Sequence, residues 1–241
     1  MLRKNLDEAI DHLKKFDFQP ETIIDVGVAY GTPGLYGKYK CAKYLLIEPL
    51  YEYEDSCKNI VEKYGGDYVL AAASSSNGEA QINVHPDLSG SSMFKESEGP
   101  HIDGTPRIVP TITLDSIYEQ KELQGPFLIK LDTQGSELKV LAGAKKVLID
   151  TEVIILEAFL HHFYKDTPLM ADIILYLIEK DFFVYDIFGA LTRPLDDALA
   201  QVDLVFVKKG SVFRRSSHFA STKQRKKMTK KRIKYLNKVF K

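Results

Sequence analysis

The stretch that most constrains how this chain can fold is residues 22–31, which read TIIDVGVAYG. The apolar start predicts a buried strand, and Gly27 and Gly31 predict a turn that leads on into a helix. Asp25, near the end of the strand, can accept hydrogen bonds from a cationic ligand group. Glycines at the turn let a ligand approach the backbone, because no Cβ atom stands in the way.

A second predicted strand, residues 43–47, reads KYLLI and is followed by Glu48. An acid at the end of the second strand of a nucleotide-binding βαβ unit commonly binds ribose hydroxyls. Together the two features predict an adenosine-containing ligand at the carboxyl ends of parallel strands. The alternatives are a plain turn at Gly27 and a solvated strand end at Glu48.

The spacing of the glycines helps to choose the ligand. Dinucleotide-binding turns usually read G-x-G-x-x-G, in which a middle glycine lets the pyrophosphate approach the backbone. This turn has only Gly27 and Gly31, with Asp25 in front of them. The pattern favours a ligand with a cationic amino-acid end, so we expect S-adenosylmethionine rather than a nicotinamide or flavin nucleotide.

Charge is distributed unevenly along the 241 residues, although the net charge is zero. Of the 33 basic residues, 14 lie in residues 208–241, which contain no acid, so residues 1–207 hold 19 basic and 33 acidic residues. We therefore predict a folded domain over 1–207 and a basic tail over 208–241. In the tail, Ile233, Leu236 and Phe240 share one face of a predicted amphipathic helix.

The tail has three candidate partners: the acidic domain itself, an anionic membrane or glycolipid surface, and, as the least favoured, nucleic acid. The N-terminus has no apolar signal core, and no apolar run is long enough for a membrane span. Cys41 and Cys57 form neither a disulfide framework nor a metal pattern, and Cys57 fits the buried face of a helix. We expect a cytoplasmic, reduced protein without a metal, which is peripheral to the inner membrane face if the tail binds lipid.

Strands alternate with helices, which predicts a doubly wound, mostly parallel α/β sheet with an antiparallel edge. The first predicted strand and its ligand turn together occupy 22–31, and the other predicted strands are 43–48, 68–73, 80–84, 109–114, 127–132, 153–157, 182–187 and 202–207. The predicted helices are a cover helix over 4–16, a short helix over 32–39, and helices over 52–64, from 115, from 137 and over 167–180.

Small residues follow the third predicted strand, which contains Ala72. Residues 74–78 read SSSNG and leave room for an adenine ring, although a hairpin turn at Asn77 explains them equally well. Residues 86–107 predict a long loop, which is either a lid over the ligand or a mobile surface loop.

The ordered motifs of residues 22–207 resemble those of the FkbM family of S-adenosylmethionine-dependent methyltransferases. The strongest of them is IKLDTQGSEL at residues 129–138, followed by LAGA at 141–144; IEP at 47–49 and TLD at 113–115 support it. Many members have Glu in place of Gln134 and Asn near the position of Ala29. The resemblance implies a class I methyltransferase fold with a seven-stranded sheet and a reversed last strand. It also implies methyl transfer, usually to a hydroxyl oxygen of a sugar or secondary metabolite.

A hydroxyl acceptor needs a base close to the attacking oxygen. Asp132 follows a central strand and is the leading candidate, while the alternative is that it caps the next helix. Glu157, Glu137 and His161 are further candidates at the same edge of the sheet. The expected cofactor contacts are Asp25, Gly27, Ala29, Gly31, Glu48, Ala72 and Asp132.

Three functional classes follow from these features. The first is a small-molecule or glycan O-methyltransferase. The second is a nucleic-acid methyltransferase that uses the basic tail, but residues 132–135 read DTQG, whereas enzymes that methylate exocyclic amines of DNA bases typically have an Asn/Asp-Pro-Pro-aromatic motif there. The third is a non-catalytic scaffold, which would not need Asp25, Gly27, Gly31 and Glu48.

Overall fold

The computed structural model describes residues 2–240. Its strands are β1 Thr22–Val26, β2 Lys43–Ile47, β3 Gly66–Val69, β4 Ala72–Ala73, β5 Gly78–Val84, β6 Thr105–Ile112, β7 Phe127–Leu131, β8 Thr151–Phe159, β9 Phe182–Thr192 and β10 Leu199–Lys208. Its α-helices are α1 Leu6–Leu13, α2 Glu54–Tyr64, α3 Leu114–Lys121, α4 Glu137–Ala142, α5 Met170–Ile178 and α6 Thr222–Val239.

Seven strands form the main sheet in the order β3-β2-β1-β7-β8-β10-β9. Strands β3, β2, β1, β7 and β8 pair in parallel, and β10 pairs antiparallel with both β8 and β9. The last two strands thus form the predicted antiparallel edge, with the reversed strand β10 inserted between β8 and β9. The α/β class I methyltransferase fold predicted from the sequence is confirmed.

The side chains of the central parallel strands β1 and β7 are buried on both faces of the sheet, as expected where helices cover both faces. On β1, Ile24 and Val26 pack into the layer that contains α3, α4 and α5, and Ile23 packs into the layer that contains α1 and α2. The predicted cover helix is present as α1, which buries Ile10 and Leu13. The amphipathic spacing of its sequence is therefore used for packing.

The helix predicted over 32–39 and the strand predicted over 68–73 do not form as predicted. Residues 32–39 form turns instead of a helix, because Gly34 and Gly37 adopt φ values of 87° and 73°, which a right-handed helix cannot contain. The third predicted strand is divided: β3 joins the main sheet, whereas Ala72 and Ala73 form β4 of a separate sheet in the order β4-β6-β5.

The predicted antiparallel strand 80–84 belongs to this small sheet as β5, where it pairs with β6. Strand β6 begins at Thr105, within the segment predicted as loop, and contains Pro106 and Pro110. It pairs with β4 only at Thr111 and Ile112, so most of its other edge is unpaired. Proline, which cannot donate to a ladder, is tolerated at such an edge.

The C-terminal tail forms the 18-residue helix α6, which begins after the capping residue Ser221. No residue of α6 is buried, and its apolar side chains Met228, Ile233, Tyr235 and Val239 are each about half exposed. Within residues 2–240, no helix is long and apolar enough to span a membrane.

The two cysteines differ in a way that tests the packing of α2. Cys57 is fully buried, and burial raises the pKa of its thiol to about 12, whereas Cys41 is exposed. Because the thiolate is the reactive form, a thiol reagent should modify one cysteine rapidly in the native protein and the second only on unfolding. A Cys41→Ser variant should lose the rapid phase, and two rapid phases in the parent protein would contradict this packing.

Candidate active site

The candidate site lies where the strand order reverses, between β1 and β7. The chain leaves β1 toward β2 on one side and returns later to β7 on the other, which opens a crevice at the carboxyl ends of the strands. Ligands of open α/β sheets bind at such a switch point. A cleft is found there, lined by the ends of β1, β2 and β7, by β4 and by residues 88–93.

The turn after β1 is pressed against the backbone that follows β7. Gly27 has a φ of 78°, and a Cβ atom on it would lie 1.9 Å from the carbonyl oxygen of Asp132. The amide of Asp132 in turn donates to the carbonyl of Val26 at 3.0 Å. Only glycine permits this approach, so Gly27 fixes the distance between the two halves of the cleft.

Glu48 supports the same turn from β2. Its carboxylate accepts hydrogen bonds from the amide of Ala29 at 2.9 Å through Oε2 and from the amide of Leu50 at 2.9 Å through Oε1. The residue is buried yet lines the cleft, and burial raises its pKa. Each carboxylate oxygen can accept a second hydrogen bond, so both remain able to bind ligand hydroxyls.

The side chain of Asp25 lies beneath the turn and does not line the cleft. It is completely buried, accepts a hydrogen bond from the hydroxyl of Tyr36, and has its other oxygen 3.6 Å from the ammonium of Lys130. These are the contacts that the structure gives it, and they stabilise the turn. Direct contact between Asp25 and a cationic ligand group stays a prediction. Gly31 lines a neighbouring cavity, together with Asp132 and Asp203.

Lys130 is a component of the site that the sequence interpretation missed. Its ammonium lies 3.6 Å from Asp25 and 3.4 Å from the Oδ2 atom of Asp132. Burial lowers its pKa, but attraction to Asp25 and Asp132 outweighs burial, and the pKa is raised overall. The sequence contains a signal for it, since Lys130 is the one charged residue of the buried strand FLIKL.

Asp132 and Glu157 come from the ends of the adjacent strands β7 and β8, and Gln134 joins them. The amide nitrogen of Gln134 donates to Oδ1 of Asp132 at 2.9 Å and to Oε2 of Glu157 at 3.2 Å. Its amide oxygen accepts a hydrogen bond from Tyr164 at 3.2 Å, and Gln201 donates to the second oxygen of Glu157. Two predicted catalytic carboxyl groups thus share one amide donor.

Protons in this cluster are held more tightly than in water. Burial, reinforced by Asp132, raises the pKa of Glu157 to about 8. Burial and Asp132 likewise raise the pKa of Asp203 to about 6. Glu157 therefore carries a proton through most of the neutral pH range, and it can exchange this proton near pH 8.

The structure shows how Asp132 and Glu137 are placed relative to helix α4. Helix α4 begins at Glu137 after Ser136, whose side chain makes no capping bond, so the hypothesis that Asp132 caps this helix is wrong. Glu137 is buried and accepts hydrogen bonds from the amide and hydroxyl of Thr133 at 3.0 and 2.9 Å. It holds the loop that positions Gln134, which adopts a φ of 50°.

The structure does not bring His161 to the cleft. Its ring packs against Phe163, with the two ring centroids 5.8 Å apart. His161 lines neither the cleft nor the neighbouring cavity. Over residues 2–240, no group of three or more His, Cys, Asp and Glu side chains is arranged to hold a metal ion.

Residues 88–93 of the predicted long loop, here called the lid, line the cleft. The hydroxyl of Ser92 donates to the carbonyl of Gln134 at 2.7 Å, and Tyr164 donates to the carbonyl of Gly90 at 2.9 Å. Since Tyr164 also contacts the side chain of Gln134, the lid and the carboxylate pair share the same anchoring residues.

Part of the wall of the cleft is apolar. Ala72 packs in a cluster with Leu50 and Tyr53, and Tyr30 meets Tyr53 edge-to-face with ring centroids 4.8 Å apart. All four residues line the cleft. Apolar side chains in the same cleft as the acid Glu48 suit an adenosine group, whose ring needs apolar faces and whose ribose needs an acceptor. Leu50, Tyr53 and Tyr30 carry no signal in the sequence beyond their aromatic or aliphatic character.

The chain matches the family described as Methyltransferase FkbM domain over residues 25–184. The chain belongs to the FkbM methyltransferase family. This confirms the resemblance inferred from the motifs, and the protein is an S-adenosylmethionine-dependent methyltransferase. None of the curated proteins matches the chain.

Solved methyltransferases have a similar fold. Magnesium protoporphyrin IX methyltransferase from Synechocystis PCC 6803 with bound S-adenosylmethionine is 9% identical, with a TM-score of 0.47 over 84% of this chain and 77% of that one. An rRNA methylase from Streptococcus thermophilus is 8% identical, with a TM-score of 0.46 over 86% and 98%. Precorrin-6y C5,15-methyltransferase from Geobacter metallireducens GS-15 is 13% identical, with a TM-score of 0.43 over 86% and 92%. These likenesses concern the fold alone.

The structure gives a physical reading of the two positions at which this FkbM chain differs from many members. Ala29 has a φ of 49°, a left-handed conformation that Asn adopts more readily than Ala. Gln134 stands where many members have Glu. An amide donates to both Asp132 and Glu157, whereas a carboxylate there would place a third acid between them.

The close approach at Gly27 can be tested against Gly65, which has a similar φ of 80° but no atom within 4 Å of an added Cβ. Gly65→Ala should cost only the backbone strain, about 1–3 kcal/mol. Gly27→Ala should cost more, because the Cβ must displace the backbone of Asp132. Urea unfolding of both variants measures the difference, and equal losses of unfolding free energy would contradict the close approach.

The proton on Glu157 makes stability depend on pH in a defined direction. Its pKa is about 8 in the folded protein and close to the ordinary 4.5 in the unfolded chain, so the native state holds a proton that the unfolded chain releases between these values. The resulting stabilisation is complete below about pH 4.5 and is lost as pH rises through about 8. In Glu157→Gln the side chain cannot titrate, and this contribution to the pH slope should disappear.

Urea unfolding at about pH 5 and about pH 8.5 gives the comparison, with Glu62→Gln, an exposed position on α2, as the matched control. When the pH is raised from the lower to the higher value, the unfolding free energy should decrease more in the parent protein and in Glu62→Gln than in Glu157→Gln. Equal pH dependence in all three proteins would show that Glu157 does not hold the proton.

Proposed function

We propose that this FkbM methyltransferase transfers a methyl group from S-adenosylmethionine to a hydroxyl oxygen of a sugar, a glycan or a secondary metabolite. The observation that carries the proposal is the pair Asp132 and Glu157, joined by Gln134 at the ends of adjacent strands beside the cleft. A hydroxyl is a weak nucleophile, so a positioned carboxylate that removes its proton meets a need that this chemistry has.

The cleft residues have distinct roles toward the cofactor in this proposal. Glu48 binds the ribose hydroxyls through the acceptor positions that the backbone leaves free. The adenine ring lies in the slot formed by Ala72, Leu50 and Tyr53, and the turn from Gly27 to Gly31 receives the amino-acid end. Apolar packing around Ala72 and the absence of a Cβ at Gly27 support this assignment.

When bound, S-adenosylmethionine supplies a methyl group that is already activated on a positively charged sulfur. The protein then has to position the acceptor and remove its proton. Asp132 has a side chain that is 39% exposed and lines the cleft, so it can accept the proton of an acceptor hydroxyl. Gln134 and Lys130 fix the two oxygens of this carboxylate, at 2.9 and 3.4 Å respectively.

The chemistry of the wall supports a polyhydroxyl acceptor. Asp132, Glu157 and Asp203 offer carboxyl oxygens, and Gln134 and Gln201 offer amides, all near the carboxyl ends of β7 and β8 or on the reversed strand. Groups of this kind hydrogen-bond sugar hydroxyls in several directions at once. A carboxylate at Asp132 repels a phosphodiester backbone, which disfavours nucleic acid as the acceptor.

Substitution of Asp132 tests its part in the reaction. Asp132→Asn should keep cofactor affinity and lose about 10²–10⁴-fold in turnover, because the amide cannot accept the acceptor proton. Release of S-adenosylhomocysteine measures turnover, and calorimetric titration measures binding. Asp17→Asn, at an exposed site away from the cleft, is the control. Full turnover in a folded Asp132→Asn protein would remove Asp132 from the mechanism.

The chemical class of the product tests the proposal itself. The protein is incubated with S-adenosylmethionine carrying a ¹³C-methyl group and, separately, with pools of glycans, small metabolites and RNA, and each product is analysed by NMR. An O-methyl signal in the glycan or metabolite pool is the expected result. Label found only in RNA would favour the nucleic-acid alternative, and cofactor binding without labelling of any pool would favour a scaffold.

A further inference from the structure

The helix α6 is the largest feature of the chain that methyl transfer does not use. It begins at Thr222, well after the last strand of the sheet, and every one of its residues is at least partly exposed. Residues 208–241 contain 14 basic residues and no acid. A helix of 18 residues is about 27 Å long, so α6 presents an extended, positively charged surface.

The lysines and the apolar residues lie on opposite sides of this helix. With about 100° of rotation per residue, all the lysines of α6 fall within an arc of roughly 140°. These are Lys223, Lys226, Lys227, Lys230, Lys231, Lys234 and Lys238. The apolar residues fall on the remaining side and are Met228, Ile233, Tyr235, Leu236 and Val239.

The apolar side is not covered by the folded domain. Ile233 is 53% exposed, Val239 is 52% exposed, and the following residue Phe240 is 81% exposed. The domain before residue 208 is acidic and is an electrostatically favourable partner for the helix, yet no residue of α6 is buried against it. The apolar side and the lysine side are therefore both accessible to an external partner.

The two arginines on the apolar side lie against aromatic rings. Arg225 lies over Phe219 at 5.2 Å, and Arg232 lies over Tyr235 at 5.9 Å. Phe219 is itself 76% exposed. Aromatic rings with a polar neighbour favour a boundary between an apolar and an aqueous phase, so this side of the helix has the character of an interfacial surface.

We propose that α6 binds the surface of an anionic lipid bilayer, with its axis in the plane of the membrane. In this arrangement Ile233, Val239 and Phe240 enter the boundary between headgroups and acyl chains, and the lysines contact anionic headgroups. A large apolar side combined with a lysine-rich polar side is characteristic of interfacial helices. Negative lipids of the cytoplasmic leaflet attract such segments.

This partner explains more of the observations than RNA does. The lysines can bind any polyanion, but a phosphate backbone offers nothing to exposed Ile, Val and Met side chains. Binding of α6 to a bilayer does not depend on which acceptor receives the methyl group. Access to a lipid-linked sugar at the same surface would follow only together with the proposed function.

The experiment is flotation of the full-length protein with vesicles of phosphatidylcholine alone or of phosphatidylcholine with phosphatidylglycerol. Binding is expected to the anionic vesicles only and should fall at high salt, since the Debye length shrinks from ~10 Å at 0.1 M to ~3 Å at 1 M. Equal binding to neutral vesicles, or none to either, would overturn the proposal.

A pair of variants with unchanged charge separates a bilayer from a general polyanion. Ile233→Gln combined with Phe240→Gln should weaken binding to anionic vesicles at least about tenfold, because two apolar side chains no longer leave water. Ile149→Gln combined with Leu195→Gln removes two side chains that are 67% and 82% exposed outside the helix and should bind like the parent protein.

Two other outcomes would contradict the proposal. Retention of vesicle binding by the Ile233/Phe240 variant, with equally tight binding of an RNA oligonucleotide, would indicate a polyanion site. A clear loss of thermal stability in that variant, but not in the Ile149/Leu195 control, would indicate that the helix docks on its own domain.

Discussion

The arrangement of the site depends on the buried ammonium of Lys130. It lies between the carboxylates of Asp25 on β1 and Asp132 after β7, at 3.6 and 3.4 Å. The buried carboxylate of Asp25 is costly without a nearby cation, and removal of one partner from a buried ion pair typically costs several kcal/mol. With Lys130 in place, the ends of the two strands can meet closely enough for Gly27 to lie against the backbone of Asp132.

The same charge balance gives the neighbouring acids different roles. Asp132 is held by Lys130 and Gln134 at the mouth of the cleft, whereas Glu157 lies deeper and has a pKa raised to about 8 by burial. Two carboxyl groups in different environments are a common basis for acid and base roles at one site. Gln134 links them without adding charge, and through Ser92 and Tyr164 it also links them to the lid.

Local patterns in the sequence predicted the elements that depend on local chemistry. The apolar run before Gly27, the strand before Glu48 and the alternation of strands with helices were enough for the fold. They could not predict that Asp25 faces Lys130, because this contact depends on the pairing of strands about 100 residues apart in the chain. Nor could they predict that His161 lies outside the cleft or that residues 32–39 form turns. Both outcomes depend on loop conformations, which are set by tertiary contacts and glycine φ values.

The central claim is that the cleft between β1 and β7 binds the adenosine group of the methyl donor through Glu48. Isothermal titration of the protein with S-adenosylmethionine, S-adenosylhomocysteine and NAD tests it most directly, with Glu48→Ala as the variant and Glu62→Ala, exposed on α2, as its control. We predict that S-adenosylmethionine and S-adenosylhomocysteine bind and that NAD does not. Glu48→Ala, but not Glu62→Ala, should lose ~1–3 kcal/mol of binding free energy. Tight binding of NAD, or unchanged affinity for S-adenosylmethionine in Glu48→Ala, would contradict it.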